Sequence, residues 1–168
     1  MKKVLVLISL LALSNLMCLF SAYDVDKENF TKVEPKPSEF VGKYVPTKGT
    51  VALITETGRY ILVDSSIEIF PDGTFEMKNM PDWWLDSLGN SNGRLESGKG
   101  TWELISWGEY WRVTLDFDPG GTFKDYSEDG FSTFKEVGGD QPPYSLWFYI
   151  GDPDRGRVMI FEQILEKP

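Results

Sequence analysis

The chain has 168 residues, with 26 acidic and 17 basic side chains, a formal charge of −9, one cysteine and no histidine. That length gives room for one domain with its own core, and the acidic balance speaks against nucleic acid and anionic lipid surfaces, which call for basic patches. Without histidine, Ser-His-Asp and Cys-His catalysis and histidine-based zinc sites are excluded, so any catalysis rests on carboxylates, hydroxyls, lysine or tyrosine.

The first stretch, "MKKVLVLISLLALSNLMCLFSA", has the layout of a secretory signal peptide over residues 1–22. Lys2 and Lys3 precede an apolar run from Val4 to Phe20, which Ser9, Ser14 and Asn15 interrupt in a way a spanning helix seldom is. Cleavage is expected after Ser21 or Ala22, with an uncleaved anchor as the alternative; loss of the two lysines takes the charge to −11. Cys18 then either leaves with the signal, so that the mature domain has no thiol, or is acylated as in a bacterial lipoprotein. Met17 stands before it, where such signals usually carry Gly, Ala or Ser. The expected location is therefore exported, periplasmic or secreted, with an N-terminal anchor, acylated or uncleaved, the one route to a membrane.

Residues 23–40, "YDVDKENFTKVEPKPSEF", read as a polar, Pro-containing linker, and residues 41–168 as a single antiparallel β-domain. "EFVGKYV" makes a first strand. "TVALITETGRYILV" is open between strand and short helix, because its apolar spacing fits both periods. "SSIEIFPDGTFEMKN" is the clearest element. Ile67 and Ile69, then Phe75 and Met77, alternate with polar residues on either side of Pro71-Asp72-Gly73, which is a hairpin signal.

"NMPDWWLDSLGN" follows. Pro81 suits a helix start and Gly89 a helix end, which predicts a turn or two of helix over residues 81–88. On such a helix Trp84, Leu85 and Leu88 share a face, with Trp83 turned about 100° away beside Asp82 and Asp86. Trp84 and the leucines then plug an open end of the β-structure. Trp83 is left either as part of that plug, the favoured reading, or as a stacking surface beside carboxylates for a sugar or cationic ligand.

"GKGTWELISWGEYWRVTLDFD" predicts a second hairpin, with Trp102 and Leu104 facing Val113, Leu115 and Phe117. Asp116, Asp118, Asp125, Glu128, Asp129, Asp152 and Asp154 lie in "DFDPGG", "DYSEDG" and "GDPDRGR". None of these matches a calcium-loop spacing, so turn chemistry is favoured and no metal or cofactor is expected. A short strand is predicted near Phe131–Val137. The last hairpin, "YSLWFYIGDPDRGRVMIFEQ", is apolar at every position of "LWFYI" and "VMIF", so its outer face needs a cover. The internal cover would be "VALITETGRYIL". An external one would be a partner docking on Trp147, Tyr149, Met159 and Phe161.

"PSEFVGKY" is similar to the opening of lipocalin-like proteins, with Gly42, Lys43 and Tyr44 where those carry Gly-x-Trp. "DGTFEMKNMPDWW" and "LWFYIGDPDRGR" resemble stretches of small exported bacterial proteins, a likeness that implies a fold and no activity. The expected fold class is all-β: an antiparallel meander closing into a lipocalin-like barrel, or a β-sandwich, with one or two short helices. The function expected of it is non-enzymatic binding of a small ligand or a protein partner, with Asp82, Trp83, Trp84 and Asp86 at the rim. An envelope interaction protein with a filled core is the alternative, and a carboxylate-based hydrolase the third reading.

Overall fold

A computed structural model describes residues 27–60, 64–86, 88–90, 92–119, 130–153 and 156–165. The signal segment with Cys18, the acidic residues Asp125, Glu128 and Asp129, and Asp154 lie outside the described residues. In chain order come α1 (Pro37–Phe40), β1 (Gly42–Pro46), α2 (Lys48–Glu56), β2 (Ser66–Ile69) and β3 (Thr74–Pro81). A 3-10 turn (Asp82–Leu85) follows, then β4 (Leu95–Trp107), β5 (Tyr110–Phe117), β6 (Phe131–Gly138), β7 (Ser145–Tyr149) and β8 (Val158–Gln163). The eight strands form a closed antiparallel barrel in sequence order, with Tyr44 of β1 opposite Gln163 of β8 at the seam. Closure leaves neither β1 nor β8 as a free sheet edge.

The β2–β3 turn forms for local reasons. The Asp72 carboxylate accepts from both the amide (3.0 Å) and the hydroxyl (2.6 Å) of Thr74, and Gly73 takes the positive φ of 85° that the turn needs. Those bonds also hold the Asp72 carboxyl below the usual carboxylate range, with the Thr74 hydroxyl the first cause. Further along β3, Met77 and Met80 are both fully buried although three apart, which plain alternation forbids. A register shift between them resolves this. Asn79 adopts φ 52°, its amide bonds Ser97 Oγ, and its carbonyl accepts from Ser65 Oγ.

The segment whose period was open, residues 50–60, continues α2 as far as Glu56 and forms no strand. Thr47 caps it by accepting from the Thr50 amide at 3.2 Å. β1 has to stop at Pro46, and the first turn of α2 takes over its ladder with β8. The Thr47 amide donates to the Ile160 carbonyl (3.0 Å), and the Thr50 hydroxyl both accepts from the Ile160 amide (2.7 Å) and donates to its carbonyl (3.0 Å). Beyond this, Ile54 is fully buried in the core.

The barrel centre is filled. Tyr44, Ile67, Ile69, Phe75, Met77, Val113, Leu115, Val137, Leu146, Phe148, Met159 and Phe161 all point inward and are essentially without solvent. α1 closes the end that carries the β2–β3 turn: Phe40 packs against Tyr44, Trp102 and Tyr144 at 5.5–5.8 Å. The Tyr44 hydroxyl donates to the Phe40 carbonyl at 2.6 Å, and burial pushes its phenol well above the usual range. The Gln163 amide donates to the carbonyls of Glu39 and Val41 and accepts from the Tyr144 amide, so the last strand holds the first helix in place. Among the described residues no helix is long and apolar enough to cross a membrane.

The stretch read as a linker is packed from Phe30 onward. β5 and β6 stop pairing at Arg112 and Glu136, and the chain at Asn29–Thr31 enters the fork between them. The Thr31 amide donates to Val137, the Trp111 amide donates to Thr31, and the Gly139 amide donates to Asn29. Gly138 permits this approach, because a Cβ there would strike the Ser145 hydroxyl, the Trp147 indole nitrogen and the Asn29 carbonyl.

Candidate functional site

The two tryptophans of "NMPDWWLDSLGN" close the barrel end that carries the long connections. The expected helix over residues 81–88 is only the 3-10 turn Asp82–Leu85, after which Asp86 is extended. The Asp86 carboxylate accepts from the Leu88 amide (2.7 Å) and the Asn90 amide (3.3 Å), offering the backbone a local turn in place of a further helical one. Leu88 is consequently 71% exposed instead of sharing the buried face of Trp84.

Trp83, expected to be the more open ring if either was, is 1% exposed. Its indole nitrogen donates to Met159 Sδ (2.9 Å), and its ring meets Tyr60 edge-on at 5.2 Å. Asp82 is equally buried, accepting from the Tyr60 hydroxyl (2.6 Å) and the Asn92 amide (3.0 Å). Trp83, Asp82 and Asp86 thus organise the plug. Trp84 alone of the four lines the pocket described next.

The partner surface expected on the last hairpin is not assembled on one face. Trp147 pairs with Ile160, and Tyr149 with Val158, on the outside of the barrel, whereas Met159 and Phe161 lie opposite Phe148 and Leu146 on the inside and are fully buried. An all-apolar strand carries no alternation to show which face is which, and pairing decides it. The outer face finds its cover within the chain. Phe30 packs edge-on against Trp147 at 5.3 Å, and the start of α2 engages Ile160.

β6 and β7 pair only from Glu136↔Trp147 to Gly138↔Ser145, although both strands run on toward the plugged end. Where they part, a pocket of about 280 Å³ opens in the barrel wall. Phe134, Lys135 and Glu136 form one side, Trp147 and Tyr149 the other, and Trp84 lies deep within. Lys135 has inward parity, since it sits opposite Val113 and two residues before Val137, both buried. Its ammonium stands over the rings of Trp84 (4.6 Å) and Phe148 (5.2 Å). Burial, only partly offset by Glu136 and reinforced by the Arg112 charge, pushes the amine down to about 8.

The nearest carboxylate in sequence is engaged elsewhere. Glu136 points outward and accepts from Arg112 at 2.7 Å, with both side chains about nine-tenths covered. The Arg112 guanidinium also lies 4.7 Å from the Trp107 ring and 4.6 Å from Phe134. Among the described residues Lys135 forms no ion pair. The groups in direct contact with its cation are the aromatic faces of Trp84 and Phe148. No group of three or more Asp, Glu, His or Cys side chains among the described residues is placed to hold a metal.

Lys135 was missed in the sequence reading, yet a signal for it exists. In "FSTFKEVG" alternation from Val137 places Lys135, Thr133 and Phe131 on the inner face. A charged residue at an inward position of a barrel strand is the anomaly to look for. No protein-family model matches the chain, and neither the curated proteins nor the solved structures contain a significant match.

Proposed function

We propose that this is an exported, non-enzymatic binding protein that takes a small planar organic anion in the opening between β6 and β7. The observation that carries the reading is the Lys135 ammonium, set over Trp84 and Phe148 at the pocket with no carboxylate bound to it. A half-buried cation with no carboxylate in contact is poorly compensated, and an entering carboxylate supplies a counter-charge. Flat aromatic walls from Phe134, Trp147 and Tyr149 favour a flat ligand. Because the barrel centre is filled, the proposed site is in the barrel wall and not at the barrel mouth. Export rests on the lysine-led apolar segment of residues 1–22.

Hydrolysis by paired carboxylates is not part of the proposal: Asp82 and Glu96, the buried acids among the described residues, line no part of this pocket. The test is tryptophan fluorescence and calorimetry with benzoate, benzamide and benzylamine. Benzoate binds and quenches, the neutral and cationic analogues bind at least about tenfold more weakly, and Lys135→Met removes the preference. Equal binding of all three, or of none, overturns the reading. For export, the mature N-terminus of protein recovered from the cell envelope or medium lies at residue 22 or 23, or at an acylated Cys18; recovery of the full-length chain from the cytoplasm counts against it.

A further inference from the structure

We infer that Lys135 captures a carbonyl-bearing acid covalently, as an imine formed at its side-chain nitrogen within the β6–β7 pocket. This rests on the anion-binding reading and names the ligand class more narrowly: a planar aldehyde or keto acid. The geometry sets the amine at the meeting point of an open pocket and two aromatic rings, Trp84 and Phe148. Glu136, which would otherwise neutralise it as a salt bridge, is taken by Arg112. The half-buried amine is thus reachable from the pocket and is not tied to a carboxylate. Burial also leaves a large neutral fraction at mildly alkaline pH, which an exposed lysine lacks.

The step balances without a further reactant. The neutral Lys135 nitrogen attacks the carbonyl carbon, forming the N–C bond, and the carbonyl π pair moves to oxygen, which takes up a proton. The nitrogen, having passed a proton to that oxygen, closes the C=N bond with its lone pair as the carbinolamine hydroxyl takes up the proton the ammonium first released and leaves as water. The product nitrogen is a cation, as the original ammonium was. Trp84 and Phe148 therefore face the same charge before and after, and the cation–π contacts are kept. The ligand carboxylate adds the negative charge the site lacks.

The experiment uses the mature protein with para-formylbenzoate at about pH 8, trapped with cyanoborohydride and mapped by peptide mass spectrometry. Lys135 is modified first, at least about tenfold faster than the exposed Lys43 and Lys78, as its larger neutral fraction requires. Excess benzoate slows this labelling, and Lys135→Arg abolishes the fast phase while slow labelling of exposed lysines persists. Modification of Lys135 no faster than Lys43 overturns the inference. If benzoate still quenches the wild-type tryptophan fluorescence in that case, the anion site stands and only the imine falls. If benzoate neither binds nor competes, both fall together.

Discussion

The amine of Lys135 lies 4.6 Å from the centroid of the Trp84 ring, so the one inward-facing lysine of β6 sets its charge against an indole face. This has a sign that can be measured. In the unfolded chain the amine titrates near the usual 10.5, and in the folded protein near 8. Between those values the unfolded state binds more protons, so stability rises with pH; below the folded value both states are protonated and the cost is constant. Lys135→Met removes the cost. It stabilises the protein by about 1–3 kcal/mol at about pH 7 in urea denaturation, and the advantage shrinks toward zero near pH 10. A variant less stable than wild type at neutral pH would contradict the placement of this side chain.

The Thr50 hydroxyl substitutes for a strand. It serves both backbone groups of Ile160 at the point where Pro46 ends the β1–β8 ladder. Thr50→Val keeps the volume and the buried methyl group but leaves a barrel amide without its donor-acceptor partner. The expected loss is about 1–3 kcal/mol, and Thr50→Ser recovers most of it. Hydrogen exchange gives the local readout: the Ile160 amide loses protection in the valine variant and keeps it in the serine variant.

The elements legible in the sequence are those whose causes are local. The β2–β3 hairpin rests on Asp72, Gly73 and Thr74, all within three residues, and its alternating apolar positions do face the core. The closed all-β barrel follows from a succession of such hairpins. The plug was harder to read, because Trp83 is set by events outside its own pattern. The irregularity at Asn79 re-aims the end of β3, and Asp86 stops the helix after one turn. The last hairpin was harder still, since Trp147, Tyr149, Met159 and Phe161 differ in no property that periodicity detects. Only the pairing of β7 with β6 and β8 sorts two of them outward and two inward. Lys135 is readable by parity from Val137, but a single inward charge in the mixed stretch "FSTFKEVG" stands out only once the strand's inner face is known.

Tyr60 holds the buried Asp82 carboxylate through a 2.6 Å hydrogen bond while its ring packs edge-on to Trp83. Tyr60→Phe retains the ring contact and removes the donor, leaving the Asp82 carboxylate with the Asn92 amide at 3.0 Å. A loss of about 1–3 kcal/mol is expected, with the near-ultraviolet circular dichroism of the tryptophans largely unchanged. Tyr60→Leu loses both the bond and the edge-on contact, so the dichroic signal of Trp83 changes as well. An unchanged stability in the phenylalanine variant would mean that Asp82 is not anchored by this hydroxyl.

Phe30 decides whether the N-terminal stretch is a free tether or part of the domain. Its ring is 6% exposed and meets both Tyr110 (5.7 Å) and Trp147 (5.3 Å), while its neighbours Asn29 and Thr31 bond the β5–β6 fork. Phe30→Ala removes the cover from Trp147, which is 9% exposed with the ring in place. Because the site lies at the barrel surface and can partly relax, the cost falls at or below the low end of the core range, about 2–3 kcal/mol. Two local readouts accompany it. Tryptophan emission shifts to the red as Trp147 meets water, and trypsin cuts at Lys32 in the otherwise folded variant but not in the parent. Rapid cleavage at Lys32 in the parent protein would instead make residues 27–36 a tether, and the fork between β5 and β6 would then have to be filled in another way.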